Sequence, residues 1–285
     1  MSTRPTRPSL AALVAALLGF VLLALAPAAR AADDIENSAA TGWWTYSGMS
    51  FNDVGAHASQ LNARLVNLKF DPASNTFSGA YVANTGAFAK SWWWYAGIDA
   101  NALSADLAAN NARLISLQAY VTGGGVRFAA VMVANTGADA KGWWWYYGKS
   151  AGDVGAAINA NHARLTSVSQ YSAGGQTVYA VVMIANTGAD AKAWWWYLGQ
   201  TPDQITALIN QHQARLIDVT SAGGGRFNAV MESCATGCPG WWWYFGLNNV
   251  DLLHAATTNH ARISTMDMYP GCGSRCYVAS LISDQ

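Results

Sequence analysis

The segment that decides the fold is Trp143-Trp144-Trp145-Tyr146-Tyr147-Gly148, one of five similar copies along the chain. In each copy a glycine lies two residues after the first tyrosine, and an arginine follows eighteen residues after that tyrosine. The five copies begin at Trp43, Trp92, Trp143, Trp194 and Trp241. Motifs at a fixed spacing, repeated every 47 to 51 residues, predict an array of supersecondary units.

A helix is predicted after each aromatic run. The residue two after the glycine is of a type preferred at helix N-caps: Ser50, Asp99, Ser150, Thr201 or Asn248. Asp or Gln stands three residues further on in four units, as in a capping box, and Pro202 suits a first helical position. A polar residue before an Ala-Arg-Leu or Ala-Arg-Ile triplet marks the helix end.

Strands are predicted after each helix. In the third unit they span 164–171 and 178–184, separated by a turn at Gly174-Gly175. Each unit is therefore strand, helix, strand, strand, and the fold class is mainly β with one short helix per repeat. Because the domain starts with an aromatic strand, we expect that strand to complete the last sheet. The five units would then close into a β-propeller-like ring with blades of about three strands plus a helix.

The N-terminus predicts export. An apolar run over residues 10–26 follows two arginines and precedes Ala29-Arg30-Ala31, an A-x-A cleavage site. A membrane anchor is the alternative, but the run is somewhat short for the ~20 residues of a span. We expect a signal peptide over 1–31 with cleavage near Ala31, an N-terminal segment over 32–42, and one five-repeat domain over 43–285. The product would be secreted, without stable membrane insertion.

The composition excludes some partners. Cleavage would remove three arginines and no acid, leaving thirteen basic against sixteen acidic residues. That balance gives no electrostatic footprint for nucleic acid or an anionic membrane. Charged residues make up 11% of the chain, whereas there are fourteen tryptophans, so the fold must bury large aromatic surfaces. No cofactor is expected.

The four cysteines are expected to form disulfides, since an exported chain is oxidised. They are Cys234, Cys238, Cys272 and Cys276, which allow three pairings. A four-thiolate zinc site is the alternative, although two C-x₃-C spacings lack the regularity of zinc fingers. In the ring, the first two cysteines follow a middle strand and the last two flank the opposite hairpin, ~20 Å away. This arrangement favours Cys234–Cys238 and Cys272–Cys276, with no metal.

These motifs together resemble the bacterial tandem repeat, a family whose repeat also looks to build the N-terminal domain of fungal polyglycine hydrolases. The resemblance covers residues 41–285 through W-W-W-Y-x-G, Ala-Arg-Leu and Ala-Asn-Thr-Gly. It implies a propeller-like ring, which in those hydrolases accompanies a separate β-lactamase-like serine hydrolase domain that we do not expect here. The sequence departs from the pattern at Thr45, in place of a third tryptophan, and at Cys234 and Cys238.

Catalysis is not expected. No lysine in the predicted ring has a serine three residues before it, as a β-lactamase-type nucleophile requires. One G-x-S-x-G motif occurs at 148–152, between a predicted strand and helix. Its serine, Ser150, shares a column with Asp, Thr and Asn, which have helix capping in common. We therefore predict a capping role, and keep a serine hydrolase using Ser150 as an alternative.

Two columns of the repeat supply candidate ligand contacts. Adjacent strand residues point to opposite faces, so most tryptophans should pack between blades. The middle tryptophans are the candidates for a ligand: Trp93, Trp144, Trp195 and Trp242. The arginines are Arg64, Arg113, Arg164, Arg215 and Arg262, which either stack on neighbouring tryptophans or face a ligand. We favour stacking, because five buried cations repel unless each is stacked or paired.

The sequence thus predicts a secreted recognition module for an extracellular polymer. The resemblance favours a polypeptide, glycine-rich in composition, as the ligand. A lectin-like glycan-binding protein is the main alternative, and a purely scaffolding ring is another.

Overall fold

The computed structural model describes residues 37–235 and 237–285. The signal peptide predicted over 1–31 lies outside the described residues, as does part of the segment predicted over 32–42. Within the described part, fifteen strands form five antiparallel three-stranded sheets, each accompanied by one α-helix. This agrees with the mainly β class and the composition of each unit predicted from the repeats. No helix in the described part is long and apolar enough to cross a membrane.

Each unit of sequence builds one blade, and we number the blades 1 to 5 in chain order. The first elements of the blades are the aromatic strands β1 (Trp43–Met49), β4 (Trp92–Ile98), β7 (Trp143–Lys149), β10 (Trp194–Gln200) and β13 (Trp241–Leu247). The helices are α1 (Phe51–Gln60), α2 (Ala100–Ala109), α3 (Ala151–Asn161), α4 (Pro202–His212) and α5 (Asn249–Thr258).

Two further strands complete each blade. The arginine-bearing strands are β2 (Ala63–Asp71), β5 (Ala112–Thr122), β8 (Ala163–Ala173), β11 (Ala214–Gly223) and β14 (Ala261–Gly271). The middle strands are β3 (Thr76–Ala83), β6 (Gly125–Ala134), β9 (Gln176–Ala185), β12 (Arg226–Ser233) and β15 (Ser274–Ser283). Each sheet has the order aromatic strand, middle strand, arginine strand, as in β1-β3-β2.

The helices begin and end as the sequence predicts. Ser50, Ser150 and Thr201 form complete capping boxes, and the side chains of Asp99 and Asn248 each accept a hydrogen bond from a backbone N–H three residues on. The polar residue after each helix adopts a left-handed conformation, with φ between 45° and 48°: Asn62, Asn111, His162, Gln213 and His260. The carbonyl of each accepts a hydrogen bond from the residue after the middle strand, so this residue also fixes the end of the sheet.

The ring closes without strand exchange, so the predicted completion of the last sheet by the first strand is wrong. Trp43 of β1 pairs with Val82 of its own blade, while Trp241 pairs with Ile282 in the last sheet. Each repeat supplies all three strands of one sheet, so no place is left for a strand from elsewhere. Closure comes instead from packing, because β14 of the last blade contacts β2 of the first, as β2 contacts β5.

Five hydrophobic clusters lie between the blades, and each aromatic strand contributes side chains from its two faces to two of them. The cluster between blades 2 and 3 contains Leu103 and Leu107 of α2 and receives Trp143 and Trp145. Trp144 packs instead into the cluster between blades 3 and 4. The same alternation holds in the other units, with the first and third positions facing the preceding blade. Tryptophans therefore pack between blades, as predicted, yet all fourteen keep part of their surface exposed.

Candidate functional site

The cysteines form two local disulfides. Cys234 and Cys238 are bonded after β12, and Cys272 and Cys276 are bonded at the hairpin between β14 and β15, with Cα–Cα distances of 5.1 and 5.2 Å. These are the two pairings favoured from the sequence, and they use the thiolates that the zinc alternative requires. Among the described residues, no group of three or more His, Cys, Asp or Glu side chains is placed to hold a metal ion.

The five arginines of the repeat are all buried, with 0 to 5% of their surface exposed. Four of them contact a carboxylate, a backbone carbonyl or a phenylalanine ring. Arg64 donates from Nε to the carbonyl oxygen of Phe88 at 2.9 Å, and the guanidinium of Arg262 lies 5.1 Å from the centre of the Phe88 ring. Arg262 also donates to the carbonyl oxygen of Asn37. Side chains so deeply buried and so engaged are structural, and they present little surface to a polymer.

A carboxylate that sequence reasoning missed supports two of these arginines. Glu232, 1% exposed, accepts from Arg164 of blade 3 and from Arg215 of blade 4, the latter at 3.4 Å. Lys192 adds a third cation at 3.4 Å. Glu232 is the cross-strand partner of Arg215, whereas the partners of the other four arginines are apolar: Val82, Val133, Ile184 and Ile282. One acidic residue at a repeat position that is otherwise apolar could have identified this carboxylate from the sequence. Its position links two blades.

The axis of the ring is filled by polar side chains. Every arginine strand has a β-bulge, as between Leu216 and Asp218, and the bulge places consecutive residues such as Ile217 and Asp218 along the same axial cavity. The cavity has a volume of about 50 Å³, enough for a few water molecules. A polymer chain therefore cannot pass through it, and the channel is excluded as the binding site.

Hydrogen bonds between arginine strands explain this filling. The Asp218 carboxylate accepts from the backbone N–H of Val168 at 2.7 Å and from the hydroxyl of Thr265 at 2.8 Å, which joins three blades. Burial raises the pKa of Asp218, although the charge of Lys69 opposes that shift. The Ser169 hydroxyl likewise accepts from the backbone N–H of Ala119 at 3.0 Å. The axial side chains thus satisfy strand edges that no further strand covers.

Open space occurs instead at the rim, where a helix faces the aromatic strand of the next blade. The first rim groove, of about 340 Å³, lies between Gly55, Ala58 and Ser59 of α1 and the run Trp92–Tyr95. The second, of about 470 Å³, lies between α2 and the run Trp143–Tyr146. The residues of the second groove on blade 2 are Ser104, Leu107, Ala108 and Ala112. The two grooves have the same construction at successive junctions.

The candidates Trp93 and Trp144 are among the residues that line the first and second rim grooves. In the second rim groove, Trp143 and Trp145 face blade 2, whereas the ring of the candidate Trp144 packs at the next junction. The candidates Trp93, Trp195 and Trp242 likewise face the following blade, and Trp195 stacks on His212 of α4 at 4.2 Å. The period-two alternation of a strand predicts that the first and third tryptophans share one face and the second lies on the other. It does not say which of the two faces meets the preceding helix.

Ser150 caps a helix, as predicted. Its hydroxyl accepts from the backbone N–H of Asp153 at 3.1 Å and donates to the Asp153 carboxylate at 2.8 Å. That hydrogen bond holds the pKa of Asp153 below its usual value. The Ser150 hydroxyl therefore uses its proton within the capping box. Helix capping explains the position of this serine without a catalytic base.

Comparison with known proteins gives one match. A family described as a polyglycine hydrolase-like structural repeat matches residues 91–135, 142–186 and 191–233, which lie in blades 2, 3 and 4. The matched segments share the helix, the arginine strand and the aromatic run analysed above. A search of curated proteins returned no significant match.

Proposed function

Because the chain belongs to the polyglycine hydrolase-like structural repeat family, we propose that it is a secreted, non-catalytic recognition module for an extracellular, glycine-rich polypeptide. The ligand lies in the two rim grooves, where exposed faces of tryptophan rings meet a helix. The two disulfides of the chain suit an oxidising compartment outside the cytosol.

The observation that carries this proposal is the recurrence of the groove at two successive junctions. The aromatic wall provides flat apolar faces, and each indole adds one N–H donor for a carbonyl oxygen. The facing helix wall is built from small residues, including Gly55, Ala58, Ser104 and Ala108. A backbone without side chains can approach such walls closely, which favours glycine over bulkier residues.

Two similar sites on one rigid ring also favour a polymer over a small molecule. A chain that occupies both grooves gains from a high effective concentration at the second site, so its apparent affinity exceeds that of either site. The axial cavity and the buried arginines offer no comparable surface. The rim therefore replaces the arginine column as the expected contact surface.

The test is binding of residues 32–285 to immobilised oligoglycine, with tryptophan fluorescence as the readout in solution. The key variant combines Ser59→Trp and Ser104→Trp, which fill both grooves from exposed helix positions. The matched control is Ala105→Trp, also exposed on α2 but outside the groove lining. We expect saturable binding by the parent and the control, and at least a roughly tenfold loss in the filled variant.

Two results would overturn the proposal. The parent chain could fail to bind oligoglycine, or the filled variant could bind it as tightly as the control. Retention on insoluble glycans without binding to oligoglycine would instead support the lectin-like alternative. Ester hydrolysis that disappears in Ser150→Ala would support the hydrolase alternative.

A further inference from the structure

At the junction between blades 5 and 1, the aromatic strand of blade 1 contributes fewer rings than its equivalents in blades 3 and 5. The third position of the first aromatic run is Thr45 instead of tryptophan, and the residue two further on is Ser47. By strand alternation these two residues face the preceding blade, as Trp43 does. The equivalent pairs in blades 3 and 5 are Trp145 with Tyr147 and Trp243 with Phe245.

In blades 3 and 5, aromatic residues occupy both positions, whereas blades 2 and 4 have Ala96 and Leu198 at the second one. Tyr147 stacks on Trp145 with ring centres 5.5 Å apart and meets the edge of Phe128 of blade 2, also at 5.5 Å. Phe245 lies 5.0 Å from Trp243 and 6.4 Å from Phe227 of blade 4. A threonine and a serine remove these rings from the junction where the ring closes.

A cleft of about 660 Å³ lies at this junction beside Ser47, and we call it the closing cleft. Its volume is within the range of small-molecule sites. Hydroxyl and amide side chains dominate its lining: Ser47, Ser74, Thr76, Ser78, Asn248 and Asn249.

The cleft also contains an ion pair that leaves it neutral. Arg275 of blade 5 donates from Nε to Oδ2 of Asp71 in blade 1 at 2.6 Å. Burial alone would raise the pKa of Asp71, but hydrogen bonds from Ser74 and Arg275 hold it below its usual value. The carboxylate is therefore ionised at neutral pH and offsets the guanidinium. An anionic ligand gains no net attraction at such a site.

We infer that the closing cleft binds a neutral polyhydroxylated ligand, an oligosaccharide, at a site separate from the rim grooves. Serine and threonine hydroxyls donate and accept, as sugar hydroxyls do, whereas each peptide group offers one fixed donor and one fixed acceptor. Asp71 supplies an acceptor and Arg275 a donor at the same edge. Met268 and the exposed Val250 provide apolar surface for the C–H faces of a sugar.

The experiment titrates residues 32–285 with cellobiose, chitobiose and maltose, followed by calorimetry and by shifts in backbone amide NMR signals. The filling variant is Ser47→Tyr, which restores the residue type of Tyr147. Its matched control is Leu198→Tyr, the same repeat position at the junction between blades 3 and 4. We expect millimolar binding of at least one disaccharide, unchanged in the control and weakened about tenfold or more in Ser47→Tyr.

A second variant, Thr76→Val, removes one hydroxyl with little change in shape and keeps the test valid if Ser47→Tyr does not fold. It should weaken the same disaccharide severalfold. The inference is overturned if none of the three sugars binds, or if Ser47→Tyr and Thr76→Val bind as the parent does. Loss of sugar binding in the variant with filled rim grooves would also overturn it, because that result would place the sugar at the rim. Failure to bind oligoglycine would leave this inference standing.

Discussion

Replacing Glu232 with valine tests how the buried arginines are stabilised. Valine is the residue type at this position in blades 1 and 2, where Val82 and Val133 pair with Arg64 and Arg113. The variant therefore keeps the packing pattern of the repeat and removes only the carboxylate. It leaves the guanidiniums of Arg164 and Arg215 buried without the acid that they share.

The expected loss is large because both cations are at most 5% exposed. Breaking a buried ion pair by removing one partner costs about 3 to 5 kcal/mol. In a chain of this size each kcal/mol lowers the midpoint of thermal unfolding by about 2 to 4 °C. We therefore expect Glu232→Val to unfold about 6 to 20 °C below the parent. Thermal unfolding followed by near-ultraviolet circular dichroism measures this shift.

The matched control is Lys192→Met, which removes the third partner of the same carboxylate. Its side chain is 31% exposed and its nitrogen lies 3.4 Å from the Glu232 oxygen, so solvent screens the pair. A loss below about 1 kcal/mol is expected there. If Glu232→Val unfolds within 2 °C of the parent, the carboxylate does not stabilise the arginine layer and the reasoning is refuted.

Three further changes test the polar interior and the caps. Lys69→Met should destabilise the ring most where Asp218 is ionised, at pH values above its raised pKa, and the loss of stability should narrow as pH falls through that pKa. Chemical denaturation across pH measures this change. Asp71→Asn should lower the free energy of unfolding above pH ~4. Below the lowered pKa of Asp71 it should have no effect, because protonation already abolishes the pair with Arg275 in the parent. Equal losses of stability in both pH ranges would contradict this. Ser150→Ala should cost ~1 kcal/mol in denaturant unfolding and leave oligoglycine binding unchanged.

The local structure of each unit could be predicted because its signals lie within a few residues of one another. Ser50 and Asp53 form the capping box that their spacing indicates. Gly148 has φ of 64°, as a turn-forming glycine in a fixed column suggests, and its N–H bonds to the hydroxyl of Tyr171 at 2.7 Å. Helix, strand order along the chain and disulfides follow from such short-range rules.

Sheet pairing and the binding surface could not be predicted in the same way. Whether Trp43 pairs within its own repeat or with the last one depends on contacts between residues far apart in sequence, and both choices satisfy the same local pattern. The bulge before Asp218 shifts the alternation by one residue, so counting by two along β11 misplaces the axial face. The second column of tryptophans was chosen without knowing which face meets the preceding helix.

Two departures from the repeat, Thr45 and Ser47, lie where the first and last blades meet. Blades 1 and 5 meet without a covalent connection between them, and there Arg275 pairs with Asp71 while Ser78 hydrogen-bonds to Tyr277 at 3.3 Å. These polar contacts lie beside a hydrophobic cluster that still includes Trp43, Phe88 and Tyr277. Because polar side chains need specific partners, they fix the register of closure more sharply than a hydrophobic face does. The closing cleft at this junction is also larger than its counterpart between blades 2 and 3, a pocket of about 230 Å³ where Tyr147 and Phe128 take the places of Ser47 and Tyr277.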